Sequence, residues 1–337
     1  MKIYKLTIFS LLLSASSSVM SEANGSRFIY DSMGSNSVLL STCDKFAGAV
    51  CGLTFNGVQL VDNDDHGRQI QTAIFYPNTI SNSGPESFVP TEAGSRFDGN
   101  GSNSSSYLHS ISSSSDSVTT SSSAAFWLQP NECTPAPPGS CALNTTILSD
   151  TVISKKITIG YVNGGVNIPH AIEFDTSVKL EPSLPINVNY GDNSGSLNNK
   201  ITFEIFSGHF TPDLNTFYSF DPHTGSLNYE GNNGYRGQRA SIITNNSRTI
   251  WLGLYTPDEN IGNTNKGNRG YHQVYNAVYL SNVGSSFSGK VGMVKMNSSF
   301  RAEGAPNQIH QFKMYLAIGK SEQDIKTTLS RLYQYVN

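Results

Sequence analysis

Short runs of β-branched and aromatic residues recur along almost the whole chain, and they constrain the fold more than any other feature. "KITIGYV", "HAIEFDTSVKL", "ITFEIFSGHF", "TIWLGLYTP", "NAVYLSNV" and "QFKMYLAIG" are rich in Ile, Val, Thr, Tyr and Phe and are bounded by Gly, Asn, Pro or Ser. Such runs read as strands closed by turns, and helix-favouring runs of Ala, Glu and Leu are scarce. Strands this numerous, each with one buried and one wet face, need two facing sheets in a chain too long for a single small sandwich. The expected fold is all-β, a large antiparallel double-sheet structure. Asn56-Gly57 gives the strongest hairpin signal, because a type I′ turn needs positive φ at both central residues. Only "SEQDIKTTLSRLYQYVN" looks helical, with Ser321 as N-cap, acids in the first turn, and Ile325, Leu329 and Leu332 on one stripe.

The serine-rich stretch from Gly101 to Ser123 admits two readings, a linker between domains or polar strands inside one. Tyr107, Leu108, Ile111 and Val118 interrupt it, and "AAFWLQP" follows, so the strand reading is preferred. "MKIYKLTIFSLLLSASSSVMS" carries two lysines, a short apolar run and then small residues, the pattern of a secretory signal peptide; its apolar run is far shorter than the roughly 20 residues of a membrane span. The expected organisation is a signal peptide over 1–21 and one β domain over 22–337, with no membrane span and a secreted or periplasmic location. Lys2 and Lys5 belong to the leader, so the remainder is more acidic than the formal −3 of the whole chain. With no basic cluster, nucleic acid is a poor partner and an uncharged ligand a better one.

The four cysteines, Cys43, Cys51, Cys133 and Cys141, form two pairs at spacings of eight residues. Export makes disulfides the default, and the local pairs Cys43–Cys51 and Cys133–Cys141 are the simplest of three connectivities. A zinc site needs ligands roughly two to four residues apart, which these are not. No metal and no cofactor is expected.

In a chain only 14% charged, "NDDHGRQIQTAIFY" is unusually dense in functional groups. Asp62, Asn63, Asp64, Asp65 and Gly67 resemble the start of a calcium loop, but His66 precedes the glycine and Ala73 stands where the closing glutamate belongs. A regular strand from Arg68 puts Arg68, Ile70, Thr72 and Ile74 on one face and Gln69, Gln71, Ala73 and Phe75 on the other. Two readings stand here: a salt-bridged turn at a strand entrance, or the polar floor of a ligand site. Glu173 and Glu204 each sit between bulky apolar neighbours, as a carboxylate does when burial is to raise its pKa, with His170 and His209 nearby in sequence. The plainer alternative is that both glutamates mark the wet face of a strand. "DPHTG" is most simply a turn with His223 exposed. The 16 tyrosines and 17 phenylalanines are mostly core, though aromatic faces also stack on sugar rings. No G-x-S-x-G, H-E-x-x-H, P-loop or dinucleotide fingerprint is present.

"GLTFNGVQLVDNDDHGRQIQTAIFY", "VPTEAGSRFDGNGS", "AAFWLQP", "TTILSDTVISKKITIG", "FEIFSGHFTPDLNTFYSFDPHTGSL", "IWLGLYTPD" and "MYLAIG" together resemble a family of secreted bacterial proteins marked by D-x-G-R-x-x-Q and T-E-A-G segments. Asp65, Gly67, Arg68 and Gln71 match the first segment, and Thr91, Glu92, Ala93 and Gly94 the second. The layout is similar to the galactose-mutarotase-like β-supersandwich, shared by aldose epimerases and by domains of polysaccharide lyases and glycosidases. Aldose epimerases share an asparagine-arginine pair, two histidines and a late glutamate; the late segment here offers Glu303 and His310.

The resemblance implies a carbohydrate partner, an oligo- or polysaccharide, and epimerase-, glycosidase- or lyase-like chemistry, with a non-catalytic glycan-binding or adhesion protein as the rival. The catalytic candidates are His66, Arg68, Glu204 and His209, and the substrate-binding candidates are Asp65, Gln69, Gln71 and Glu92. In an epimerase or glycosidase, a carboxylate and a histidine exchange protons with the sugar. In a lyase, Arg68 or an Asn neutralises a uronate while a Tyr or His takes the C5 proton.

Overall fold

The computed structural model describes residues 27–33, 36–62, 70–76, 86–96, 98, 103–134, 140–183, 201–231, 234–237, 239–257, 271–277 and 293–336. The leader expected over 1–21 lies outside them. In chain order the strands are β1 (Arg27–Met33), β2 (Asn36–Thr42), β3 (Val50–Phe55), β4 (Val58–Gln59), β5 (Ile70–Phe75), β6 (Pro90–Thr91), β7 (Tyr107–Ser113), β8 (Ser117–Phe126), β9 (Leu148–Asn163) and β10 (Val166–Lys179). They continue as β11 (Ile201–Phe210), β12 (Thr216–Asp221), β13 (Ser226–Gly231), β14 (Tyr235–Gly237), β15 (Ala240–Thr244), β16 (Trp251–Tyr255), β17 (Tyr271–Ala277), β18 (Met293–Ala302) and β19 (Ile309–Gly319). Besides a 3-10 turn at Asp44–Phe46, one α-helix, α1 (Glu322–Val336), closes the described chain. Five of the six runs singled out in the sequence fall on β9, β10, β11, β16 and β19; of "NAVYLSNV", Asn276 and Ala277 end β17 and the rest lies outside the described residues.

Every strand pairing is antiparallel, and the pairings divide the strands into two layers. The first runs β1-β2-β3-β5-β11-β18-β17-β14, with β4 hairpinned onto β3. The second runs β7-β8-β9-β10-β19-β16-β15-β12-β13. Short β6 joins them, pairing with β5 on one side and β8 on the other. The expected fold class, a large antiparallel double sheet with a short C-terminal helix, is the one observed.

Alternation explains why the layers face each other. Along β9, Ser149, Thr151, Ile153, Lys155, Ile157 and Ile159 are buried while their neighbours are exposed or half-buried, the period of two that a strand imposes. Phe174 of β10, Phe203, Phe206 and Phe210 of β11, Phe300 of β18 and Ile318 of β19 meet in the main core between the layers. A second core forms on the outer face of the second layer, where Ile325, Leu329 and Leu332 of α1 cover Trp251, Tyr315 and Ala317. A Cβ on Gly253 of β16 would lie 3.0 Å from Leu329 Cδ1, so glycine lets the helix come close. Ser321 caps α1 through Asp324 N–H to Ser321 Oγ at 3.1 Å, and Asp324 Oδ2 accepts from Lys320 N–H at 3.0 Å.

Asn56 and Gly57 have φ of 51° and 78° and join β3 to β4 as the I′ signal predicts. From Tyr107 to Ser123 the serine-rich stretch forms the β7–β8 hairpin, and β8 pairs along β9. Cys43 is bonded to Cys51 and Cys133 to Cys141, the local connectivity. Among the described residues no helix is long and apolar enough to cross a membrane.

Candidate functional site on the outer face of the first layer

The site originates in an irregularity of β11. In a regular strand Glu204 and His209, five apart, would point to opposite faces. Here an extra residue intervenes: Glu204 lies opposite Ala73 but Ser207 opposite Gln71, and against β18 Glu204 lies opposite Ser299 but Phe206 opposite Ser298. This bulge turns both Ile205 and Phe206 into the core and brings Glu204, Ser207 and His209 onto one face, the outer one. Its trace in the sequence is in "ITFEIFSGHF", where the doubled Ile205-Phe206 breaks the alternation of Ile201, Phe203 and Ile205.

Neighbouring strands extend that face by cross-strand pairing. One row runs Gln71, Ser207, Asn297, Gln273, Arg236 across β5, β11, β18, β17 and β14; a second runs His209, Lys295, Tyr275. Opposed side chains in such rows lie about 5 Å apart at Cβ. Lys295 Nζ reaches Glu204 Oε1 at 3.2 Å. The Tyr275 hydroxyl is bonded by the side chains of Lys295 and Asn297. Although this face is turned away from the main core, Gln71, Glu204, Ser207 and Asn297 are all under 9% exposed, so their charges and dipoles act in a shielded setting.

The electrostatics follow. Burial raises the Tyr275 phenol, and the Glu204 carboxylate pushes the same way against the opposing pull of Lys295. It is therefore a neutral phenol at ordinary pH, its oxygen held by Lys295 and Asn297 and its proton available to donate. Asn297, 3% exposed, has a carbonyl oxygen without a hydrogen-bond partner. Buried acceptors are rarely left so, and a ligand hydroxyl would satisfy it. Carboxylate, ammonium, phenol, imidazole and amide on one face form a set able to hold hydroxyls and move protons.

The sequence-derived candidates divide. Asp65, His66, Arg68 and Gln69 lie outside the described residues. The residues on either side of that segment are anchored together on β11: Asp62 N–H donates to His209 O at 2.9 Å, and Ile70 lies opposite Gly208. Glu204, His209 and Gln71 share the outer face. Glu92 does not: it is 1% exposed, its Oε2 accepts from Lys155 Nζ at 2.5 Å and from Thr72 N–H at 2.8 Å, and its own N–H donates to Thr72 O at 2.9 Å. Gln71 Oε1 accepts from Ala93 N–H at 3.1 Å, so the two sequence segments clasp each other. Thr91 Oγ1 donates to Gly94 O at 2.5 Å, and Gly94, at φ +100°, stands where a Cβ would strike Asp98 Oδ2.

Glu173, by contrast, is on the second layer in a partly exposed ion pair with Lys313 at 3.2 Å, and His170 Nδ1 bonds Ile318 O at 3.1 Å. His310 packs on Phe203 with ring centroids 4.7 Å apart, and burial lowers its pKa; Glu303 is exposed after β18. His223 is exposed in a turn where Asp221 Oδ1 accepts from its N–H at 3.0 Å. Sequence reasoning does not find Lys295, Tyr275, Asn297 or Gln273. "MVKMNSSF" and "YHQVYN" do alternate apolar and polar residues, but alternation marks a wet face without saying which strands lie beside it.

No protein-family model and no curated protein matches the chain. Among solved structures it is similar to the Slr1438 protein of Synechocystis sp. PCC 6803, at 9% identity over 95% of this chain and 100% of that one, with a TM-score of 0.42. It is similar to a galactose mutarotase related enzyme from Lactobacillus acidophilus, at 7% identity over 88% and 98%, TM-score 0.42. It is also similar to the heparan sulfate lyase HepC of Pedobacter heparinus, at 7% identity over 89% of this chain but 36% of the lyase, TM-score 0.42.

Proposed function

We propose that the chain binds a carbohydrate on the outer face of its first layer and acts on it by proton transfer. The observation that carries this reading is the bulge of β11, which gathers Glu204 and His209 beside Lys295, Tyr275 and Asn297 on one shielded face. Rows of amide, hydroxyl, ammonium and carboxylate groups match the alternating donors and acceptors of sugar hydroxyls, and Tyr275 adds an aromatic surface. Glu204 and His209, with His66, are the acid and base candidates, and Arg68 is the cation that neutralises an acidic sugar. Asp65, Gln69 and Gln71 contact the sugar, and Glu92, held by Lys155, supports them from behind. The two disulfides suit an oxidising compartment, so the same reading places the protein outside the cytoplasm.

A screen of soluble and insoluble polysaccharides for binding, followed by product analysis, tests it. Turnover is expected as accelerated mutarotation, new reducing ends or the ultraviolet absorbance of an unsaturated uronate. Binding without any product would make the chain a recognition protein. A panel on which nothing binds would remove the carbohydrate reading altogether.

A further inference from the structure

Thr72 lies at the junction between the ion pair inside the protein and the bulge beneath the site. Its Oγ1 donates to Ile205 O at 3.0 Å, the carbonyl of the residue that the register of β11 skips against both β18 and β5. Its N–H is held by the Glu92 carboxylate and its C=O by the Glu92 N–H. Glu92 is in turn held by Lys155, which reaches in from β9 of the opposite layer; both side chains are 1% exposed. Thr72 is itself fully buried. None of these three side chains belongs to the polar face, yet together they form one bonded line from the second layer to the residue next to Glu204.

We infer that Thr72, backed by Glu92 and Lys155, is a positioning residue: its hydroxyl fixes the bulge whose register sets Glu204 and His209 on the same face. The role it serves rests on the function proposed above, but the geometry it controls does not. A bulge is one of several ways two strands can pair, and a slip by one residue exchanges the faces of everything beyond it. A satisfied carbonyl at the extra residue favours this pairing over the slipped one. This also accounts for a glutamate and a threonine in deep burial, where plain packing would use apolar side chains.

The test compares Thr72→Val, the same shape without the hydroxyl, with Thr72→Ser, which keeps it. The readout is the 13Cζ resonance of Tyr275 in tyrosine-labelled protein, assigned with Tyr275→Phe, because that phenol is bonded to Lys295 and Asn297 and senses Glu204. Thr72→Val is expected to displace the resonance while that of Tyr315, in the second layer, stays. Thr72→Ser is expected to restore the wild-type position. A resonance unmoved by Thr72→Val, or moved equally by both substitutions, overturns the inference. Should Thr72→Val fail to fold, Thr72→Cys, a weaker donor of similar size, is expected to give an intermediate displacement, and an unmoved resonance there overturns it equally. The comparison needs no ligand, so a failed polysaccharide screen removes the functional reading and leaves the positioning role of Thr72 standing. With a glycan in hand, Thr72→Val should bind it about tenfold more weakly and Thr72→Ser as wild type, a loss matching one hydrogen bond.

Discussion

At the scale of single residues, the Glu92–Lys155 pair away from the polar face resists replacement of either partner alone. Two charges at 1% exposure are costly to bury, and each is tolerated only because the other is 2.5 Å away. Removing one partner leaves a stranded charge, so Lys155→Met alone should cost on the order of 3–5 kcal/mol. The double change Lys155→Met, Glu92→Leu should cost much less than the sum, and a urea-unfolding double-mutant cycle that came out additive would refute the coupling. His272 makes a second residue-scale prediction. Its Nδ1 bonds Arg239 O at 2.9 Å, which must accept, so the ring is the Nδ1–H tautomer and its Nε2 accepts from Thr256 Oγ1 at 2.8 Å. Thr256 follows β16 and His272 belongs to β17, so the contact pins one layer to the other. Burial holds this imidazole down to about 4 from 6.5, so the unfolded chain takes up the proton first. The stabilisation is whole above pH 6.5, falls as pH drops, and is gone near pH 4, a loss of roughly 3 kcal/mol. Glu181 and Glu132, pushed up by burial, titrate with the opposite sign, so wild type is to be compared with His272→Asn. Melts at pH 7 and 4.5 should show wild type losing more stability than the variant; equal losses contradict the assignment.

At the scale of elements, the chain is legible where one strand or helix decides its own pattern. β11 coincides with "ITFEIFSGHF", and Ile325, Leu329 and Leu332, expected from helical spacing, are all fully buried. Ser321→Ala should cost about 1 kcal/mol, because one N–H of the first turn loses its side-chain acceptor. Thermal denaturation checks this, and an unchanged melting temperature would show that Asp324 alone suffices. The bulge escapes sequence reasoning, because a doubled apolar pair looks the same in sequence as ordinary core. Glu92 reads as a ligand contact because its partner, Lys155, is 63 residues away, and no local pattern announces a bonded pair from the opposite layer. The polar rows are invisible for the same reason. Their members come from five strands whose adjacency is fixed only by the folded sheet.

At the scale of the whole molecule, the two layers share one main core, the Glu92–Lys155 and His272–Thr256 contacts tie them through polar groups, and β6 pairs with both. The protein should therefore unfold in one transition. Nicking within Gly101–Ser123 should leave the fragments associated through β7, β8 and β9, and two separable folding halves would contradict the single-domain reading. The central claim, that the outer face of the first layer and not that of the second is the sugar site, is tested most directly by exchanging one carboxylate on each. Glu204→Gln and Glu173→Gln each remove a charge paired to a lysine at 3.2 Å, one on β11 and the other on β10. Titration of both variants with whichever polysaccharide binds the wild type, alongside their melts, should show binding lost in Glu204→Gln at nearly unchanged melting temperature and retained in Glu173→Gln. Equal binding by both, or loss confined to Glu173→Gln, would contradict the account.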